Sequence, residues 1–169
     1  MANQKLSQLT ATSALASIDL VYVVTDTLTS PVSKGITATN LALAIQSLLP
    51  TFPLGLAFGD ETTSIAVGTD KLTFQMPNFA TTLTGVSVSV KTAPTGSVAT
   101  FDLNEAGVSL LSTKITIDAG EKTSVTAATP PVISDSAIAA NAIITVDIDG
   151  VGSTIAGVAP KLWIYYTRA

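Results

Sequence analysis

The chain has 169 residues, a net charge of −4 and only eight lysines and arginines together. Charged residues make up 12% of it, against about one quarter in an average domain, so its surface must be built from Ser, Thr, Ala and Asn or be covered by partners. With no Cys and no His, disulfides, thiolate nucleophiles, Ser-His-Asp and Cys-His catalysis and Cys- or His-based zinc sites are excluded, and without a basic run there is no electrostatic footprint for nucleic acid.

In chain order, Met1–Thr10 lacks the apolar core of a signal peptide. Asp19–Asp26 (DLVYVVTD) is β-branched and aromatic between turn-formers and predicts a strand. Thr29-Ser30-Pro31 breaks it, and Val32–Ile36 returns as a short second strand to close a hairpin. Thr37 to Asn40 offer N-cap choices for a short helix, LALAIQSLL. Leu41, Ile45, Leu48 and Leu49 fall on one face of that helix, and Ala42, Leu43 and Ala44 make it apolar nearly all round. Such a helix must be buried, either against the rest of the chain or against the same helix in other copies. These four residues are therefore the candidates for oligomerisation or attachment. Gly35 to Gly59 carry no charge, but prolines at 50 and 53 and interspersed polar residues break the run below the roughly 20 apolar residues that a membrane-spanning helix needs.

The division expected is an N-terminal segment over residues 1–49, a stiff Pro-containing connector over 50–53, and a domain over 54–169. Beyond the connector, β-signals follow one another. Lys71–Met76 sets Leu72, Phe74 and Met76 on one face. Thr84–Lys91 sets Val86, Val88 and Val90 against Ser87 and Ser89. Val98–Asn104 and Val108–Leu111 flank Glu105-Ala106-Gly107, a hairpin signal. Lys114–Asp118 precedes a turn at 119–122. Ile143–Asp149 places Ile144, Val146 and Ile148 opposite Thr145, Asp147 and Asp149, and Lys161–Thr167 carries the only Trp. About eight strands without a convincing helix predict an all-β, antiparallel sandwich. Long connections such as 126–141 favour a jelly roll, preceded by the small hairpin-plus-helix segment.

Chemistry is sparse. No Ser-x-x-Lys pair and no glycine-rich phosphate loop occurs. Asp147 and Asp149 share a strand face, as do Asp102 and Asn104, with Glu105 beside them. Brought together, they form a weak candidate site for a hard cation such as Ca²⁺; otherwise they mark the solvent side of half-buried strands. A glycosidase-type carboxylate pair would need a cleft lined with aromatics, and only 5% of the chain is aromatic. Near the C-terminus, Trp163 and Tyr165 share a face with Lys161, while Leu162, Ile164 and Tyr166 share the other. One of these faces is core. Trp163 and Tyr165 are the surface-contact candidates, suited to a subunit contact or to a sugar platform. No cofactor is expected and no catalytic residue is assigned.

Three N-terminal stretches, Lys5–Leu9 (KLSQL), Asp19–Val24 (DLVYVV) and Ile36–Ala42 (ITATNLA), resemble the opening of tailed-bacteriophage fibre and appendage proteins. The later stretches Gly59–Thr63, Phe74–Pro77, Thr92–Ser97, Asp118–Thr123 and Ala127–Ser134 also resemble a phage virion domain. The resemblance implies a structural virion protein assembled in the host cytoplasm and exposed on the particle. It implies a homotrimer, with an N-terminal anchor on other virion proteins and a jelly-roll knob reaching a glycan or protein of the host surface. A capsid decoration or cement protein is the alternative within that class. A carbohydrate-binding module is the alternative from another class, and a polysaccharide-cleaving spike enzyme is the one the short, aromatic-poor chain suits least.

Overall fold

A computed structural model of the chain describes residues 20–25, 32–37, 40, 41, 45 and 51–169. The chain divides into two compact units, Met1–Leu49 and Pro50–Ala169. In the first, strands β1 (Leu20–Thr25) and β2 (Val32–Thr37) pair antiparallel, Leu20 opposite Thr37 and Thr25 opposite Val32, which is the expected hairpin. Asn40, Leu41 and Ile45 are helical. Thr37 Oγ1 accepts the Asn40 backbone N–H at 3.2 Å, the bond by which an N-cap hydroxyl satisfies a donor left free in a first helical turn.

The second unit is a sandwich of two antiparallel sheets. Its strands are β3 (Phe52–Ala57), β4 (Gly68–Gln75), β5 (Thr81–Ser89), β6 (Ala99–Glu105), β7 (Val108–Ser109), β8 (Leu111–Thr113), β9 (Ile115–Ile117), β10 (Val132–Ile133), β11 (Ala137–Ile138), β12 (Ile143–Gly150) and β13 (Lys161–Arg168). One sheet, here sheet I, runs β11-β5-β13-β3; the other, sheet II, runs β4-β12-β6-β7, with β9 also on β6. The pairings nest: β3 with β13, β4 with β12, β5 with β11, and β6 with β7 and β9. A long hairpin rolled so that successive pairs fall in alternate sheets is a jelly roll.

Alternation sorts the side chains. Val86, Val88 and Val90 on β5 and just beyond it, Ile144, Val146 and Ile148 on β12, and Leu162 and Ile164 on β13 are all buried. They meet Phe101 and Leu103 of β6 and Ile115 and Ile117 of β9. Phe58 stands edge-on to Phe101, centroids 6.0 Å apart, the geometry that aromatic quadrupoles favour. The β6–β7 hairpin closes through Ala106 (φ 50°) and Gly107 (φ 79°), a two-residue loop with both φ angles positive, as the twist of the flanking strands requires.

Three features depart from the alternation pattern. Phe52 and Pro53, read as part of a connector, are the first residues of β3, which pairs with β13 from Phe52↔Tyr166 to Ala57↔Lys161. The Phe58 N–H donates to the Pro160 carbonyl at 3.0 Å. By antiparallel alternation, Leu54 and Leu56 then bond to β13, while Pro53, Gly55 and Ala57 turn their backbone groups away from it. Pro53 therefore sits where its missing N–H removes no ladder bond, as prolines do at sheet edges. Second, β5 starts before Thr84: a register shift at Tyr165/Tyr166 lets both Leu83 and Val86 point inward. Third, the strand expected over 108–111 is interrupted. β7 and β9 both lie on β6, and the chain between them detours through β8, which pairs with β10.

Candidate interaction surface

The two outer faces of the sandwich carry the residues singled out in the sequence. On sheet I, Trp163 and Tyr165 point outward from β13 while Leu162 and Ile164 go to the core, so the aromatic face is the solvent face. Trp163 lies opposite Gly55 on β3 and Ser87 on β5; Tyr165 lies opposite Pro53 and Gly85. A Cβ on Gly55 would stand 2.8 Å from the indole Cζ3, and one on Gly85 3.3 Å from the Tyr165 Cδ2. Each ring thus rests over a glycine in a neighbouring strand, covering backbone that has no side chain of its own. The indole is still 41% exposed and the phenol 38%. Gly55, Leu56, Ala57, Lys161 and Trp163 line a shallow groove of about 220 Å³ along the β3 edge.

At one end of this face the Glu61 carboxylate accepts from Lys161 Nζ at 2.9 Å, and Lys91 Nζ reaches the Glu61 carbonyl at 2.8 Å. The Lys161 hydrogen bond holds the Glu61 carboxyl below the ordinary glutamate value. Beside it, Asp60 Oδ1 accepts from the Thr62 N–H and hydroxyl and the Thr63 N–H. Its bonds to Thr63, then to Thr62, keep it well below the usual carboxylate range. Both side chains lie in solvent, Asp60 fastened to its own loop and Glu61 to β13.

The outer face of sheet II gathers the acidic candidates. Asp147 on β12 stands directly opposite Asp102 on β6, and Thr145 opposite Asn104, so these side chains share a face, whereas Glu105 pairs with the buried Ile144 and falls on the other. The bonding of the shared face is internal. Asp147 accepts the Asp70 backbone N–H at 2.8 Å and the Asn104 amide at 3.0 Å. Asp102, 5% exposed, accepts from the Ser109 hydroxyl at 2.6 Å and the Leu103 N–H at 2.9 Å. Lys114 Nζ bridges Asp149 at 2.7 Å and Asp102 at 3.0 Å. These bonds, to Asp149 first and Asp102 second, hold the ammonium above the ordinary lysine value. The lysine occupies the position between carboxylates where a cation would sit. Among the described residues, no group of three or more acidic, His or Cys side chains has the arrangement of a metal site.

Of the helix candidates, Leu41 is half-buried and Ile45 is 53% exposed; Leu48 and Leu49 lie outside the described residues. No described helix is long and apolar enough to cross a membrane. Gly55, Gly85 and Lys114 escaped the sequence reading. A glycine inside a strand pattern is itself a sign of close approach by another group, which would have pointed to Gly85; Gly55 follows directly on the connector read over 50–53, where no strand was expected. Lys114 carries no such signal, because it is the pairing of β9 with β6, Ile115 opposite Phe101, that brings it to Asp102. Compared with protein-family models, curated proteins and solved structures, the chain matches none of them.

Proposed function

We propose that the protein is a structural component of a tailed-phage virion, a short fibre or appendage that assembles with copies of itself and performs no catalysis. In this reading three copies associate through the apolar helix beginning near Asn40, the N-terminal unit attaches to other virion proteins, and the jelly roll is the exposed knob. The observation that carries it is the outer face of sheet I. Two aromatic rings stand half-exposed on a glycine floor within an otherwise internally bonded, charge-poor sandwich, which is the composition of a contact surface rather than of a reaction centre. The exposed Ile45 on the helix adds an apolar contact of the same kind. The resemblance of the N-terminal stretches to phage appendages supplies the particle, and a capsid cement protein would use the same two surfaces.

The test is the mass of the full chain in solution by light scattering across a range of concentrations. The expected result is a trimer, or a whole multiple of one, that Ile45→Asp reduces to smaller species. A monomer at every concentration rejects the self-assembly reading. The half-exposed Trp163 also favours a second reading, a carbohydrate-binding module, which expects the monomer together with quenching or shift of tryptophan emission by a soluble oligosaccharide.

A further inference from the structure

We infer that the open edge of sheet I is a two-fold contact in which β3 of one copy pairs antiparallel with β3 of a second copy about Gly55. The inference rests on the self-assembly reading above and adds to it a contact made by the jelly roll itself.

The edge has the chemistry of an unfinished sheet. By the alternation that the Phe58–Pro160 bond sets, Gly55 and Ala57 direct both N–H and C=O outward, and Pro53 directs its C=O outward. Among the described residues, none takes these groups. Natural sheets guard such an edge with charge, a bulge or a covering element. Here residues 51–59, TFPLGLAFG, carry no charge, and β3 runs in unbroken register with β13. Among the described residues Pro53 is the only guard, and it closes one position while leaving two open.

A second copy fits this edge better than a generic strand because the surroundings are self-complementary. Pairing about Gly55 lets each Gly55 N–H donate to the other Gly55 carbonyl, and each Ala57 N–H donate to the other Pro53 carbonyl. The absent Pro53 N–H leaves only the Ala57 carbonyl without a donor. On the outer face the same register extends the cross-strand rows already seen. Trp163 and Gly55 of one copy continue into Gly55 and Trp163 of the other. With strands about 4.8 Å apart, the two indoles start about 14 Å apart at their backbones. Each already leans over its own glycine, so the rings meet above the shared glycine floor and cover one another. The row of Tyr165 and Pro53 continues into Ala57 and Lys161 of the other copy, with no like charges opposed. On the inner face, Leu54 and Leu56, half-buried in one copy, lie opposite Leu56 and Leu54 of the other, and Phe52, 40% exposed, lies opposite Phe58. Apolar surface left open on both faces of this edge strand is covered by the same element of a second chain.

The test uses the full chain and Ala57→Pro. That substitution removes an N–H that β13 does not use, at an edge strand where Pro53 already sits, so the monomer retains its ladder. Three quantities are read: the mass in solution, the emission of the single tryptophan, and amide exchange at residues 54–57. The expected result is an unmodified chain with at least twice the mass of the variant and with bluer emission. Its Gly55 and Ala57 amides should be slowed roughly tenfold or more relative to the same protein on dilution, while Leu54 and Leu56 stay protected at every concentration. Generic association slows no such alternate pair, so amide exchange in the unmodified chain decides alone if the variant fails to fold. Equal masses with fast Gly55 and Ala57 amides overturn the inference. In that case a common trimer leaves the proposed function standing, and a common monomer removes both. A dimer that Ala57→Pro makes monomeric upholds the edge contact and rejects the three-fold assembly.

Discussion

The two outer faces of this sandwich are built from the same kind of strand, yet they end differently. On sheet II, the aspartates find partners within the unit: Asp147 takes a backbone N–H and an amide, and Asp102 and Asp149 share Lys114. Asp102 and Asn104 are as buried as core residues. On sheet I, glycines stand where side chains would, the rings lie over them half-exposed, and the edge strand keeps backbone donors and acceptors turned outward. Opposed carboxylates are costly and must be neutralised on the spot. Aromatic rings over glycine carry no such obligation and remain available. A cluster of acids in a sequence is therefore a weaker pointer to a ligand than an aromatic beside a strand glycine.

Removing the lysine from the covered face should have the largest effect. Lys114→Met leaves Asp102 buried with its two remaining hydrogen bonds but no countercharge. Because Lys114 is itself nearly half-exposed, the loss should be about 2 kcal/mol rather than the larger figure for a fully buried pair, read as a lower urea midpoint with an unchanged slope. The pH profile sharpens this. The folded-state value of Lys114 is raised, so its contribution is fully present below the unfolded lysine value and is lost as pH rises through the folded one. The unmodified protein should lose stability on its alkaline limb, above about pH 10, more steeply than Lys114→Met. Parallel limbs would show that the ion pair contributes nothing.

A smaller effect is expected on the aromatic face. Gly55→Ala places a methyl carbon 2.8 Å from the indole, so the ring must swing away, at a cost of about 1 kcal/mol and with a change in tryptophan emission. In a Trp163→Ala background the same substitution meets nothing, and the gain from replacing a strand glycine, about 0.5 kcal/mol, should show instead. A cost that persists without Trp163 would mean that the glycine serves the backbone rather than the ring. The smallest change concerns the hairpin between β6 and β7. Ala106 holds φ 50°, where a Cβ is strained and Asn is favoured, so Ala106→Asn should raise the urea-unfolding free energy by roughly 0.5–1 kcal/mol.

Much of this fold is legible in the chain because alternation is a local property. Val86-Ser87-Val88, Ile144-Thr145-Val146 and Leu162-Trp163-Ile164 each state which residues face inward. Enough such stretches with turns between them leave only a two-sheet answer, and the Ala106-Gly107 turn announces its hairpin. The absence of His and Cys likewise excludes His- or Cys-based chemistry in this chain before any coordinate is known. Which strands are neighbours and which lie at an edge follows from the folded arrangement alone. Phe52 and Pro53 read as the end of a connector, and Leu54–Ala57 carry no strand signal, because strand propensity is mostly the fit to neighbours a segment does not contain; pairing with β13 makes Phe52–Ala57 a strand. The meeting of Asp102, Asp147 and Lys114, and the seating of Trp163 over Gly55, join residues far apart in sequence through sheet register. Register follows from burying both inner faces at once, a condition that no single segment of the chain carries.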